Sequence, residues 1–307
     1  MIEQSEIKYL SREKIDIRKW DACIERAENG LIYAYSFYLD TMADNWDALV
    51  LNDYEAVMPL TWKKKYGIHY LYQPFLTAQL GLFGKELSEK MVGEFMMAIP
   101  LKFQFIEISL NSSNIFSTPS GFTILRSNFE LDLAKSYTDL TLSYNENNKR
   151  NLRKSQQAGC IFKKGFDSEE VIALALPQIK SFVKESADNV NRFRNLYSLL
   201  HKKKMATTYG IFSPQGELIS SCVFLFSHNR AYYILVGNRT DSRGIGASHA
   251  LIDAFIKDYT EKNLILDFEG SDIPNLAQFY SGFGAVRKVY PGIRINRLPF
   301  YIRWLKK

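Results

Sequence analysis

Histidine and cysteine are scarce in this chain, and the few present are too scattered to build a metal centre. The four histidines (His69, His201, His228, His249) form no His-x-x-x-His pair, and the three cysteines (Cys23, Cys160, Cys222) are odd in number and far apart. Structural or catalytic zinc needs clustered ligands and a disulfide framework needs paired cysteines, so the sequence argues against both and for a reducing compartment. No apolar run approaches the roughly 18 residues needed to span a bilayer. Met1–Glu6 also lacks the basic-then-apolar pattern of a secretory signal, and the expectation is a soluble, cytoplasmic protein with no membrane span. Acids are missing from two stretches. Residues 147–166 carry six bases (Lys149, Arg150, Arg153, Lys154, Lys163, Lys164), and residues 287–307 carry seven. Such stretches either meet a phosphate-rich ligand, a phosphorylated cofactor or an RNA, or form solvated faces.

What the chain does contain is enough apolar and aromatic matter for two cores. Its 307 residues are 46% hydrophobic and 14% aromatic, with 21 Phe and 18 Tyr. Two domains of about 150 residues are the default at that length, and the boundary is expected at residues 133 and 134. Short apolar runs at 7–10, 48–51, 56–62, 69–72 and 103–109 read as strands, with helices over 17–29, 31–45 and 87–97. A strand over 122–133 leads into the second half. There Ser143 and Glu146 make a capping-box pattern, and Gly159 is a natural stop, so a basic helix is expected over 144–158. Helices over 168–186, interrupted at Pro177, and 190–203 follow, then strands at 207–212 and 218–227. Residues 232–285 organise the rest: strand, glycine turn, helix, strand, loop, helix. Closing strands are expected at 293–296 and in the terminal segment. The expected class is therefore α/β (α+β), with each half a mixed, mostly antiparallel sheet flanked by helices.

Several residues in this frame suit a ligand. The turn Arg243, Gly244, Ile245, Gly246, Ala247 opens a helix whose free N–H groups favour an anion such as a pyrophosphate, although the glycines would equally serve a tight turn. Gln73 and Gln79, in a segment where Pro74 and Gly81 preclude a plain helix, either line a groove or brace a buried loop. Asp267 and Glu269 lie at the C-terminal end of a short strand, where α/β folds place ligands, or else they partner nearby N–H groups.

Two motifs carry a resemblance. Asn147–Ser155 (NNKRNLRKS) and the pair DFEGS (267–271) and FYSGFGA (279–285) are similar to segments of the Fem family of peptidoglycan aminoacyltransferases and their acetyltransferase-like relatives, and 207–285 resembles the GNAT superfamily of N-acetyltransferases. The resemblance implies two GNAT domains in tandem, the second carrying the donor site, and no metal. It implies acetyl-coenzyme A or another acyl-coenzyme A as donor, held by Arg243–Ala247 and Asn275, and a small-molecule or peptide amine as acceptor. It further implies Tyr280 as the acid for the leaving group, with Glu269 or a water taking the amine's proton; the amides of Gln73 and Gln79 and the bases Lys149 and Arg150 are the expected substrate contacts. The alternatives are a Fem-like enzyme using aminoacyl-tRNA, with the basic segments on the RNA, and a non-catalytic module that keeps the fold. Two positions depart from the pattern: Asp241 stands where the cofactor loop usually begins with Arg or Gln, and Tyr280 where Fem members often have lysine.

Overall fold

The computed structural model describes residues 6–115, 123–182, 187–240, 244–270, 272–301 and 303. It divides into two compact units, Met1–Arg126 with Val289–Lys307, and Ser127–Lys288. The first unit therefore takes back the C-terminal segment, which the expected boundary at 133 and 134 assigned to the second half.

In the first unit the strands are β1 (Ile7–Leu10), β2 (Asn45–Leu51), β3 (Ala56–Lys65), β4 (Ile68–Leu71), β5 (Phe83–Gly84) and β6 (Phe103–Ser109), with helices α1 (Ile17–Arg26), α2 (Ser36–Met42) and α3 (Glu89–Met97). Asp16 caps α1 by accepting the N–H groups of Arg18 and Lys19, and its apolar stripe buries Trp20, Cys23 and Ile24. The sheet runs β1-β2-β3-β4-β6 and ends on the C-terminal part of β13 (Val286–Asn296), with β5 beside β3. Gly292–Asn296 pairs antiparallel with Phe105–Ser109, which is what returns the chain terminus to this unit. The helix expected over 31–45 is shorter than its aromatic content suggested. A 3-10 turn at Ile32–Ala34 precedes α2, and residues from Asn45 onward have joined β2, where Trp46 to Leu51 are buried.

The second unit holds β7 (Thr123–Asp132), α4 (Tyr137–Leu142), α5 (Glu146–Gln157), β8 (Ile161–Lys164), α6 (Ser168–Phe182), α7 (Ala187–Lys202), β9 (Ala206–Phe212), β10 (Leu218–Ser227), β11 (Arg230–Asn238), α8 (Ala247–Tyr259), β12 (Ile265–Asp267) and α9 (Pro274–Ser281). Its strand order is β7-β12-β11-β10-β9-β8, antiparallel except for β11 with β12. The basic helix begins later than expected: Asn145, not Ser143, caps α5 by accepting the N–H of Asn148, and Ser143 ends α4 instead. Pro177 lies inside α6 without interrupting it. Cys222, Phe224, Ala231 and Tyr233 join Leu251, Ile252 and Phe255 of α8 in one core. On β11, Gly237 meets the backbone of Leu174 and Ala175 so closely that an added Cβ would come within 2.7 Å of Ala175 N, and α6 packs there.

Candidate functional site

In the second unit the sheet comes apart between β11 and β12. β11 and β12 pair over only three residues, Arg230 with Ile265, Ala231 with Leu266 and Tyr232 with Asp267. β12 then ends while β11 runs on to Asn238. Along that unaccompanied half the register with β10 shifts between Ser221 and Val223, leaving a bulge at Leu235 and Val236, with Leu235 in the left-handed region at φ 52°. Bulges re-aim backbone groups and are over-represented beside active sites.

The chain leaving β12 forms the turn Phe268, Glu269, Gly270. Asp267 is buried: its Oδ1 accepts from the Asn128 amide and from the N–H of Glu269, both at 2.9 Å, and its Oδ2 accepts from Arg230 at 2.9 Å. Arg230 also donates to Glu130 at 2.7 Å. Burial raises the Asp267 carboxyl, with Arg230 pulling the other way. Glu269 differs. The residue as a whole is half-buried, but its Oε1 is enclosed and has no hydrogen-bond partner among the described residues, and burial pushes its pKa well above the glutamate range. A buried acid without a partner stays protonated rather than carry a charge into a dry site. Of the two carboxylates that the sequence placed here, Asp267 is thus fully engaged and Glu269 is not.

The glycine turn stands at the start of α8. Gly244 (φ 97°) has open space around its Cα, whereas Gly246 (φ 83°) is pressed against α5: an added Cβ would lie 2.1 Å from the carbonyl oxygen of Asn151. The need for glycine at 246 therefore comes from helix packing as well as from the turn. A depression of about 210 Å³ lies here, lined by Asn151, Asn238, Arg239, Gly244, Gly246, Ala247, Ser248 and His249. Ile245 is half-buried and packs on the core behind it. Ser248 and Ser220 both donate to Asn238 Oδ1, at 2.6 and 2.7 Å, which ties the first turn of α8 to β10 and β11. Arg243 and Asp241 lie outside the described residues.

A second cleft, of about 460 Å³, shares His249 with this depression and is otherwise lined by Asn145, Asn147, Asn275, Gln278 and Phe279. Burial lowers the His249 pKa to about 4, so the ring is neutral at pH 7. It meets Phe279 edge-on at 4.8 Å. Four carboxamides, a neutral imidazole and a phenyl ring make a wall without formal charge, suited to amide or hydroxyl groups. The sequence reading reached Asn275 but missed the other five. A signal existed in the spacing, since Asn275, Gln278 and Phe279 recur three and four residues apart on α9, and in the amide-rich run 145–148.

The remaining expected residues are placed as follows. Tyr280 is buried, its ring stacked on Phe268 at 4.5 Å and near Phe129 and Tyr233. Burial, and then the nearby Glu269, push its phenol further up, away from the range of a ready acid. Lys149 and Arg150 lie on α5, paired with Glu146 and Asn147 one turn earlier. Gln73 and Gln79 brace their own loop. Gln73 accepts the N–H of Ser109 and donates to the Thr77 carbonyl, each at 3.0 Å, and Gln79 accepts the N–H of Ser112 at 3.0 Å. The loop-bracing alternative for these two therefore describes their geometry. Among the described residues, no group of three or more His, Cys, Asp or Glu side chains converges as a metal site would, and no helix is long and apolar enough to cross a membrane.

No protein-family model and no curated protein matches the sequence. Solved structures do match in shape. FemX superposes with a TM-score of 0.66 at 13% identity, covering 98% of this chain and 100% of its own. L-PGS from Bacillus licheniformis gives 0.53 at 13% identity, covering 94% of each chain. A conserved protein of unknown function from Bacteroides thetaiotaomicron gives 0.56 at 11%, covering 94% of this chain and all of its own. Over nearly its whole length, this chain has the tandem GNAT-like fold of FemX.

Proposed function

We propose that the Ser127–Lys288 unit transfers an acyl group from a phosphate-bearing donor to a primary amine by direct attack. The observation that carries this reading is Glu269: its Oε1 is enclosed and has no partner among the described residues, just past the point where β11 and β12 part. In the proposed reaction the amine nitrogen bonds to the acyl carbon while its proton passes to Glu269. The bond from that carbon to the donor's sulfur or oxygen then breaks. The proton is taken in the fraction of chains whose Glu269 is ionised, and the raised pKa makes that carboxylate the stronger base. Backbone N–H groups at the Leu235–Val236 bulge would hold the oxyanion. The leaving group takes its proton from water, because the Tyr280 phenol is too deeply buried to be a ready acid.

The donor we favour is an acyl-coenzyme A. Its pyrophosphate suits the depression at the start of α8, where unpaired N–H groups and the helix dipole favour an anion. Arg239 lines that depression, and Arg243 belongs to the same turn in sequence. The amide-bearing arm of the donor suits the carboxamide cleft that meets the depression at His249. A second reading, aminoacyl transfer from tRNA, is favoured by the exposed Arg150, Arg153 and Lys154 on α5 and by the whole-chain likeness to FemX.

Thermal shift and isotope-labelled acyl transfer to a primary amine, run in parallel with acetyl-coenzyme A and with aminoacyl-tRNA, test both readings. Coenzyme A stabilisation with label transfer supports the first. RNA affinity that falls steeply with salt, with transfer of the aminoacyl group, supports the second. Label transfer from neither donor overturns both.

A further inference from the structure

The proposed base needs a reason to stay where it is, because nothing about a glutamate favours its conformation. Glu269 has φ 65° and Gly270 has φ 86°, two successive left-handed residues directly after a strand. Glycine takes such values freely; a glutamate adopts them only where its surroundings impose them. Its own side chain offers no anchor, since Oε1 has no partner among the described residues. The anchor lies two residues earlier.

We infer that Asp267 is the positioning residue for Glu269, clamping the Glu269 N–H through Oδ1 while Arg230 and Asn128 fix the aspartate itself. The geometry is that of a side-chain turn in which an aspartate oxygen accepts the N–H of the second residue on. Asp267 Oδ1 takes the Glu269 N–H at 2.9 Å and the Asn128 amide at 2.9 Å, and Oδ2 takes Arg230 at 2.9 Å. Arg230 is held in turn by Glu130 at 2.7 Å. Four side chains from β7, β11 and β12 thus converge just before the two parallel strands separate. Arg230 stays charged despite its burial because two carboxylates face it. With the aspartate fixed at both oxygens, the turn it closes has one conformation, and that conformation holds the Glu269 carboxyl out of water next to Tyr280.

This inference rests on the reading of Glu269 as the base, but its test does not need a substrate. In the full-length chain carrying 13C-labelled glutamate, the Glu269 carboxyl resonance is assigned with Glu269→Gln and titrated. The titratable side chain beside the carboxyl is Tyr280, and Asp267 holds the Glu269 amide; both are varied in the same series. In the parent chain the midpoint should lie above the ordinary glutamate value, because burial disfavours the charged form. In Asp267→Ala it should drop toward that value by about one unit or more, and the Glu269 amide should exchange with solvent roughly tenfold faster. Tyr280→Phe should leave the amide protected. A merely structural ion pair would lower the melting temperature and leave the Glu269 amide protected. If Asp267→Ala does not fold, Asn128→Ala, which removes one donor to Oδ1, decides: a lower midpoint supports the clamp and an unchanged midpoint overturns it. A lowered midpoint in a chain that transfers no acyl group would leave the clamp standing and sink the proposed function alone.

Discussion

Two loops in this chain leave a strand or approach one with buried polar groups, and they handle them in opposite ways. In the first unit, the stretch from Gln73 to Gly84 is closed upon itself. Asn114 is fully buried, with Oδ1 accepting the Leu82 N–H at 2.7 Å and Nδ2 donating to the Leu82 carbonyl at 2.9 Å. Asn111 donates to Leu80 and Leu82, and Gln73 and Gln79 take N–H groups of the neighbouring strand and loop. In the second unit, the turn after β12 satisfies Asp267 three times and leaves an oxygen of Glu269 with none among the described residues. Burying a polar group unpaired costs on the order of 1–3 kcal/mol, so a fold retains one only where something else requires it. The amide-rich loop is a stability device, and the glutamate turn is the place to look for chemistry.

The sharpest way to break that contrast is Glu269→Gln. Under the proposed function it should lower turnover by about 10²–10⁴-fold while leaving donor binding in place. Its stability should be equal or higher, because a neutral amide replaces an acid that resists ionising. The pH dependence carries the sign. The folded chain keeps the Glu269 proton to higher pH than the unfolded chain, so the parent should lose stability as pH rises from 4.5 toward the raised folded midpoint. In Glu269→Gln that decline should flatten, as urea unfolding across the range would show.

Next in size is Gly246→Ala, which adds a Cβ 2.1 Å from the Asn151 carbonyl at φ 83°. It should cost about 3 kcal/mol and displace α5 from the start of α8, abolishing any thermal shift by the donor. Asn114→Ala should cost about 2 kcal/mol by stranding the N–H of Leu82, whose carbonyl keeps Asn29 and Asn111 as donors, with donor binding unchanged. A larger effect on transfer than on melting would mean that the first-unit loop has a role beyond bracing. Smallest is Tyr280→Phe, expected within about 1 kcal/mol in stability and under about tenfold in turnover, since a phenol so buried is a poor acid. A loss as large as that of Glu269→Gln would restore it as the proton donor.

Much of this architecture could be read from residue order because short apolar strands and capped helices are local signals. The strand over 103–109 and the helix starting at Ile17 are placed as their patterns predict. The misreadings have tertiary causes. Aromatic content over 31–45 suggested one long helix, but Trp46 and its neighbours are drawn into β2 by burial. The C-terminal strand pairs with β6, nearly two hundred residues earlier, which no local pattern reveals. At the candidate site, the glycine turn and Glu269 were legible as motif positions. The carboxamide wall was not, because Asn145 and Asn147 meet Asn275 and Gln278 only once α5 and α9 are folded. Nor was the difference between Asp267 and Glu269, which depends on Asn128 and Arg230 arriving from other strands.

The return of Val289–Lys307 to the first unit also orders events in time. During synthesis the chain emerges from its N-terminus, and units fold as they become complete. Ser127–Lys288 is contiguous and can close as soon as it has left the ribosome, whereas β6 waits for Gly292–Asn296 before its edge is covered. Of these two units, the one begun first is finished last, and until then an unpaired edge of β6 stands open to pairing with another chain.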